Sequence, residues 1–248
     1  MLIIKHSNGN VYDLDRLGIR TRDFIISSPE IINTSEQVDG MQGLINTETN
    51  YGVRELFGSF RIKSDEIGLF SKKREEVFRI FSGLEEFILI DKYNPAKRWK
   101  AKGDGSFRPE RISTFGYFEV RFISHSPFSE SVNIISRSHN QNEFIFRNQG
   151  DIPVNMRHQD ETEIIFKGES DNLSIKNVTT GDDWIYEGTT TSYDTITLKG
   201  IRSLKNGQSI FGQTNKKLIS FNVGINRFEI TGNVGAFEMS IRTRFYFL

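Results

Sequence analysis

The clearest hydrophobic pattern in the chain lies in residues 54–90. Residues 54–62 alternate between polar and apolar side chains, which is the two-residue period of a β-strand. Residues 70–82 carry apolar side chains at helical spacing, and an apolar run follows at residues 87–90. This order predicts a strand, an amphipathic helix and a second strand.

The predicted helix has an apolar stripe and a charged face. Its apolar side chains recur at i, i+7, i+8, i+11 and i+14, so they share one side of a helix with about 3.6 residues per turn. We expect this stripe to pack on the protein's own sheet while the charged face meets water. The stripe consists of Phe70, Val77, Phe78, Phe81 and, just past the helix, Leu84.

Two other patterns predict strands in the first half. Residues 2–4 and 11–14 are apolar runs that flank Asn8-Gly9, a pair that favours a hairpin because both residues tolerate positive φ. Residues 112–123 alternate, and one face of that strand is apolar. That face is formed by Phe118, Val120 and Phe122.

Residues 33–52 show neither pattern. They are polar and Gly-rich, and they predict a loop of about 20 residues, a length that is usually functional or disordered in a compact domain. From residue 131 onward, short strands recur between turn signals without a helical period, which is typical of an antiparallel β-sandwich. We therefore predict two domains, residues 1–130 and residues 131–248.

Composition narrows the class of protein. The 248 residues contain 32 Lys plus Arg and 32 Asp plus Glu, so no overall charge attracts nucleic acid or a membrane. The absence of cysteine excludes disulfides and thiolate chemistry. No signal peptide and no apolar run near the roughly 18 residues of a membrane span occur. These features predict a soluble protein without membrane insertion.

Motifs for catalysis or metal binding are missing. The four histidines are dispersed, and nucleophile-elbow, dinucleotide and phosphate-loop motifs are absent. Glu85 and Glu86 are adjacent, and in an extended segment adjacent side chains point to opposite faces, so the pair alone cannot form the carboxylate pair of a glycosidase. We expect no enzyme activity, no cofactor and no metal.

Two groups of aromatic residues leave binding interpretations open. Residues 92–111 are basic and aromatic, which suits a nucleic-acid loop, although an exposed connection between strands is favoured. Trp184 and Tyr186, next to Asp182-Asp183, suit a sugar-stacking platform, although ordinary packing of these rings is favoured.

The order of these features resembles the distal tail protein (Dit) family of long-tailed, siphovirus-type bacteriophages. The similarity rests on the first hairpin, the Gly-rich stretch, the helix between strands and several segments of the second half. The matching segments are residues 8–14, 38–54, 70–82, 118–122, 146–153, 198–207 and 223–232.

This resemblance implies a mainly β fold, with a β-sandwich-like domain carrying one helix and then a galectin-like antiparallel β-sandwich. It implies a homo-oligomer, normally a hexameric ring, at the tail tip in the virion, made in the cytoplasm of the host bacterium. The implied partners are the tail tube protein, a tail-associated (Tal-like) protein and a receptor-binding or baseplate protein, with DNA passing through the ring.

A ring needs two different faces that meet. We expect two features to supply them: the charged face of the helix and the stretch at residues 33–52. The contact residues expected in that stretch are Asp39, Gly40, Met41, Leu44 and Tyr51. The alternatives are a lectin-like module for bacterial surface glycans, with Trp184 and Tyr186 as its platform, and a glycan hydrolase.

Overall fold

The computed structural model describes residues 1–159 and 161–248, which form two compact units. The first comprises residues 1–132 with residue 248, and the second comprises residues 133–247. Strands dominate both units, and the described residues contain one α-helix. The prediction of a mainly β protein with one helix is confirmed.

The first unit holds the helix and the longer strands. Helix α1 spans Phe70–Phe81 and follows a 3-10 turn at Ile67–Leu69. The strands are β1 Leu2–Lys5, β2 Val11–Asp13, β3 Ile19–Ile26, β4 Ile31–Glu36, β5 Ile45–Tyr51, β6 Arg54–Lys63, β7 Phe87–Asp91, β8 Lys97–Asp104, β9 Glu110–Ile112, β10 Phe115–Ser124 and β11 Ser129–Ser131.

Seven of these strands form an antiparallel sheet in the order β2-β1-β7-β8-β10-β6-β3. The hairpin predicted at the start of the chain is present, and Gly9 has φ +88° in its turn. Strand β10 alternates as predicted, because Phe118, Val120 and Phe122 are buried while Glu119 is exposed. The buried faces of these strands form one core with the helix.

Helix α1 covers this core with a face slightly different from the predicted stripe. Phe70, Val77 and Phe81 are buried, and so is Ile80, which lies outside the predicted stripe. Phe78 is only half-buried and meets Phe107 at a ring distance of 5.6 Å.

Leu84 is fully exposed, in contrast to the prediction. The helix ends at Phe81, and Ser82 leaves helical geometry with φ −100° and ψ 67°. The helical period therefore does not extend to residue 84, and its side chain does not continue the stripe.

The second unit is a β-sandwich. One sheet has the order β12-β25-β15-β20-β21-β22 and the other has the order β13-β24-β17-β18. The strands are β12 Ile135–His139, β13 Glu143–Asn148, β14 Val154–Asn155, β15 Glu163–Gly168, β16 Ser170–Asp171, β17 Ser174–Asn177, β18 Asp182–Ile185, β19 Thr189–Thr190, β20 Thr195–Lys199, β21 Arg202–Lys205, β22 Gln208–Ser209, β23 Ser220–Phe221, β24 Gly224–Thr231, β25 Phe237–Thr243 and β26 Tyr246–Phe247.

A carboxylate stabilises the turn before β20. Asp194 accepts hydrogen bonds from the backbone N–H of Thr191 at 2.8 Å and from the Asn206 side chain at 2.6 Å, and Lys205 lies 3.3 Å away. These partners, with the Thr191 N–H foremost, hold the pKa of Asp194 far below its ordinary value. The charged carboxylate therefore contributes stability above the pKa of the unfolded state, near 4, and this contribution is lost as the pH falls below it.

We expect Asp194→Asn to destabilise the second unit more at neutral pH than in acid. The charge that the native turn favours is removed, and in acid the wild type loses the same advantage. Urea midpoints of both proteins, measured from neutral pH down to about pH 3, test this prediction. The exposed aspartate Asp171 of the same unit, changed to Asn, is the control. A difference between wild type and Asp194→Asn that stays constant with pH contradicts the assignment.

Candidate functional site

A two-stranded arm, residues 31–51, stands away from the core of the first unit. In the described part of the chain its strands β4 and β5 pair only with each other, and every residue of both is exposed. The prediction of a loop over residues 33–52 was therefore wrong. Burial of one face produces the alternation of a strand, and a ribbon that buries neither face leaves no such pattern in the sequence.

The root of the arm is firmly held. The arm continues the β3–β6 pair, with Glu30 N–H donating to Val53 O at 3.3 Å and Gly52 N–H donating to Glu30 O at 2.9 Å. Buried Arg54 donates to Ser27 O at 2.8 Å and packs its guanidinium over the Trp99 ring. Burial lowers the pKa of Arg54 from its ordinary value, although an arginine stays charged in proteins. The direction of the arm is thus fixed where it leaves the sheet.

The arm exposes many apolar side chains. Leu44 is 68% exposed and Ile31 is 62% exposed. A lone two-stranded ribbon is marginally stable in water, and a cluster of exposed apolar residues on a monomer marks an interaction site. The exposed apolar residues of the arm are Ile31, Ile32, Val38, Met41, Leu44, Ile45 and Tyr51.

The structure brings most of the predicted contact residues together at the tip. Asp39, Gly40, Met41 and Leu44 lie between β4 and β5, where Gly40 adopts φ +84° and Met41 N–H donates to Val38 O. Tyr51 lies at the root instead, with its ring 5.9 Å from that of Phe128, edge to face. The tip residues form one patch, and Tyr51 is separate from it.

The sugar platform considered at Trp184 and Tyr186 is absent from the surface, and both rings are packed, as the favoured interpretation of the sequence has it. Trp184 is 1% exposed and Tyr186 is 4% exposed. The Trp184 indole N–H donates to Ser203 Oγ at 3.1 Å and thereby links β18 of one sheet to β21 of the other. Both rings pack in the interior, so neither presents a face to a sugar.

The basic and aromatic segment at residues 92–111 is not a loop, so the favoured prediction of an exposed connection between strands was wrong, and the alternative of a nucleic-acid loop was wrong too. Its centre is strand β8, and Trp99 is buried in the core. Glu130 forms ion pairs with Arg98 at 2.7 Å and with Lys100 at 3.1 Å. Arg98 and Lys100 are therefore neutralised by a carboxylate of the same sheet.

The adjacent acidic residues Glu85 and Glu86 each have a local partner. Glu86 pairs with His125 at 3.0 Å, and Glu85 accepts a hydrogen bond from Ser7. Within residues 1–159 and 161–248, no group of three or more His, Asp or Glu side chains is arranged to hold a metal ion. Among the same residues, no helix combines the length and apolar composition that a bilayer crossing requires.

An exposed apolar arm on a β-domain, followed by a β-sandwich, is the architecture of this chain. Residues 7–124 match the phage tail protein RIFT-related domain family. The fold of the whole chain matches the crystal structure of the SPP1 Dit (gp 19.1) protein, described as a paradigm of the hub adsorption apparatus of phages that infect Gram-positive hosts. That match has a TM-score of 0.76, an identity of 11%, and covers 99% of each chain.

Two weaker fold matches come from the baseplate of phage p2 in its activated conformation, with Ca and with Sr. Their TM-scores are 0.46 and 0.47, with 8% identity and 98% of each chain covered. No curated protein matches the chain by sequence.

Both comparisons thus lead to tail proteins of bacteriophages. Residues 7–124 match the tail protein family model, and the chain as a whole has the fold of a distal tail protein. The resemblance noted in the sequence is confirmed.

Proposed function

We propose that this protein is the ring-forming hub at the tip of a long phage tail. Six copies close a ring through residues 1–130, and DNA passes through the ring without specific binding. The ring joins the tail tube protein to a tail-associated protein, while residues 131–248, the galectin-like part, carry receptor-binding or baseplate proteins. The protein acts in the virion after its synthesis in the host cytoplasm.

The observation that carries this proposal is the exposed apolar arm on a rigid root. A closed ring requires a heterologous contact, in which one face of a subunit meets a different face of the next. The arm can supply one of these two faces, because its apolar residues are exposed to solvent in the single chain. The fold shared with SPP1 Dit, a protein of a hub apparatus, supports the same assembly.

A carbohydrate-binding role for the second unit has no comparable support. Its predicted platform, Trp184 and Tyr186, is buried, and Trp184 has its indole hydrogen bond satisfied inside the sandwich. The hub function therefore remains the better interpretation of both units.

Native mass spectrometry and negative-stain imaging over a concentration series test the hub function. We expect a species of six times the 28.6 kDa chain mass to grow with concentration, since assembly follows mass action, and to image as a ring with a central hole. A chain that stays monomeric at the highest soluble concentration contradicts the proposal. So does an oligomer without a hole.

A further inference from the structure

A basic cleft lies at the end of the β3–β6 pair that is remote from the arm. It has a volume of about 820 Å³, and its wall includes Arg20, Arg22 and Arg61, with the rings of Tyr93 and Tyr117. Tyr93 is 82% exposed. The cleft thus combines guanidinium groups with accessible aromatic surface.

The three arginines have no counter-charge in the described part of the chain. Arg20 and Arg61 are direct cross-strand partners, an arrangement in which like charges repel. No described carboxylate lies within 4.0 Å of any of the three. Asp15, also in the wall, is already held by Lys92 at 2.9 Å. The cleft therefore carries unbalanced positive charge.

Aromatic rings hold two of these arginines in place. The Arg22 guanidinium lies 5.6 Å from the centre of the Tyr117 ring, and that of Arg61 lies 5.2 Å from the centre of the Phe115 ring. A charge on an edge strand can also serve to block unwanted strand pairing. That explanation fits Arg20 and Arg22 on edge strand β3, but not Arg61, because β6 lies between β3 and β10. The arginines are thus arranged as a preorganised site for an anion.

The arm has the complementary chemistry. Residues 24–53 contain no Lys, Arg or His, while the arm itself carries Glu36, Asp39 and Glu48 beside its exposed apolar residues. All three acidic residues are exposed, and no described cation pairs with them. An acidic and apolar arm matches a basic and aromatic cleft in both kinds of contact.

An arm cannot reach the cleft of its own subunit. Arg20 stands near the start of β3 and the arm leaves after its end at Ile26, so the two are separated by roughly 20 Å at about 3.3 Å per residue. The root held by Arg54 continues the strands away from the cleft. Arm and cleft therefore lie at opposite ends of one ribbon, which is the geometry of a head-to-tail contact between copies.

We propose that the basic cleft of Arg20, Arg22 and Arg61 receives the acidic arm tip of the neighbouring copy of this chain. The inference rests on the proposed ring and specifies its contact. The carboxylates of Glu36, Asp39 and Glu48 neutralise the arginines, and Met41 and Leu44 cover the cleft's aromatic surface. Nucleic acid is the other polyanion that arginines bind, and it is a separate outcome of the test below.

Two sets of charge reversals test the contact. One variant carries Arg20→Glu, Arg22→Glu and Arg61→Glu in the cleft, and the other carries Glu36→Lys, Asp39→Lys and Glu48→Lys in the arm. Each variant alone places like charges against each other in every contact, so we expect loss of the six-subunit species. A 1:1 mixture restores opposite charges in an alternating ring, so we expect native mass spectrometry to show rings with three copies of each variant.

The control is Lys167→Glu with Arg202→Glu, two exposed cations of the second unit, which should leave assembly unchanged. Circular dichroism melting shows whether each variant is folded, and rescue in the mixture itself demonstrates folding.

Rings that persist in both single variants overturn the cleft assignment while the hub function stands. Loss without rescue in folded variants also overturns it. A wild type without rings refutes the hub function itself. Loss of DNA binding by the cleft variant with rings intact assigns the cleft to nucleic acid instead.

Discussion

Replacing Phe81 with alanine should lower the free energy of unfolding of the first unit by about 3–5 kcal/mol. Phe81 is 1% exposed, at the last turn of α1. Its ring lies 4.9 Å from that of Phe60 and 5.5 Å from that of Phe118, and so joins the helix to β6 and β10. Removing it loses buried apolar area and leaves a cavity that the surrounding rings fill only in part.

Urea unfolding followed by circular dichroism measures this effect. The two units can unfold separately, so the transition of the first unit must be resolved before a free energy is assigned. Leu84→Ala is the matched control: it truncates an apolar residue three positions later that is fully exposed, and it should change stability by no more than about 0.5 kcal/mol. Equal effects at the two positions would show that the helix face is misassigned.

Removing the arm should abolish ring assembly while leaving the first unit folded. Glu30 and Gly52 are adjacent across the ribbon, so residues 31–51 can be replaced by a two-residue Asn-Gly turn that closes the hairpin. The residues of β4 and β5 are all exposed, so the core loses none of its packing. Native mass spectrometry should then show monomers at concentrations at which the wild type is a ring.

A gentler variant separates the tip's contribution from that of the whole arm. Met41→Ser with Leu44→Ser keeps the ribbon and its acidic residues but removes two exposed apolar side chains. We expect rings to form still, but only at a higher protein concentration than the wild type needs. If the shortened protein still forms rings as readily as the wild type, the arm is not the contact between subunits.

Much of the first unit could be predicted because its strands and helix bury one face. The alternation around Phe118, Val120 and Phe122 and the stripe through Val77 and Phe81 are direct consequences of a sheet and a helix packed against one core. The end of the helix could not be predicted in this way. The apolar spacing continues to Leu84, but the backbone leaves helical geometry at Ser82.

Burial was the property that local sequence predicted least well at the proposed sites. Trp99 looked like a surface aromatic because basic residues flank it, and the aspartates next to Trp184 left a surface interpretation open, yet both rings lie in a core. In a strand, neighbouring side chains point to opposite faces, so a polar neighbour is compatible with a buried ring. For residues 31–51 the sequence predicted a loop, whereas the structure has a paired ribbon. A ribbon that is exposed on both faces has no hydrophobic period from which its strands could be predicted.

By itself, the sequence determined the β class, the helix, the stretch from which the arm is built and the resemblance to distal tail proteins, because these depend on local periodicity, turn residues and their order. The tertiary structure alone decided which aromatics are interior and that the stretch is a paired ribbon. It alone aligned Arg20 with Arg61, residues 41 positions apart, at the end of that ribbon opposite the acidic tip. Strand register joins residues distant in sequence, and no local pattern contains that information.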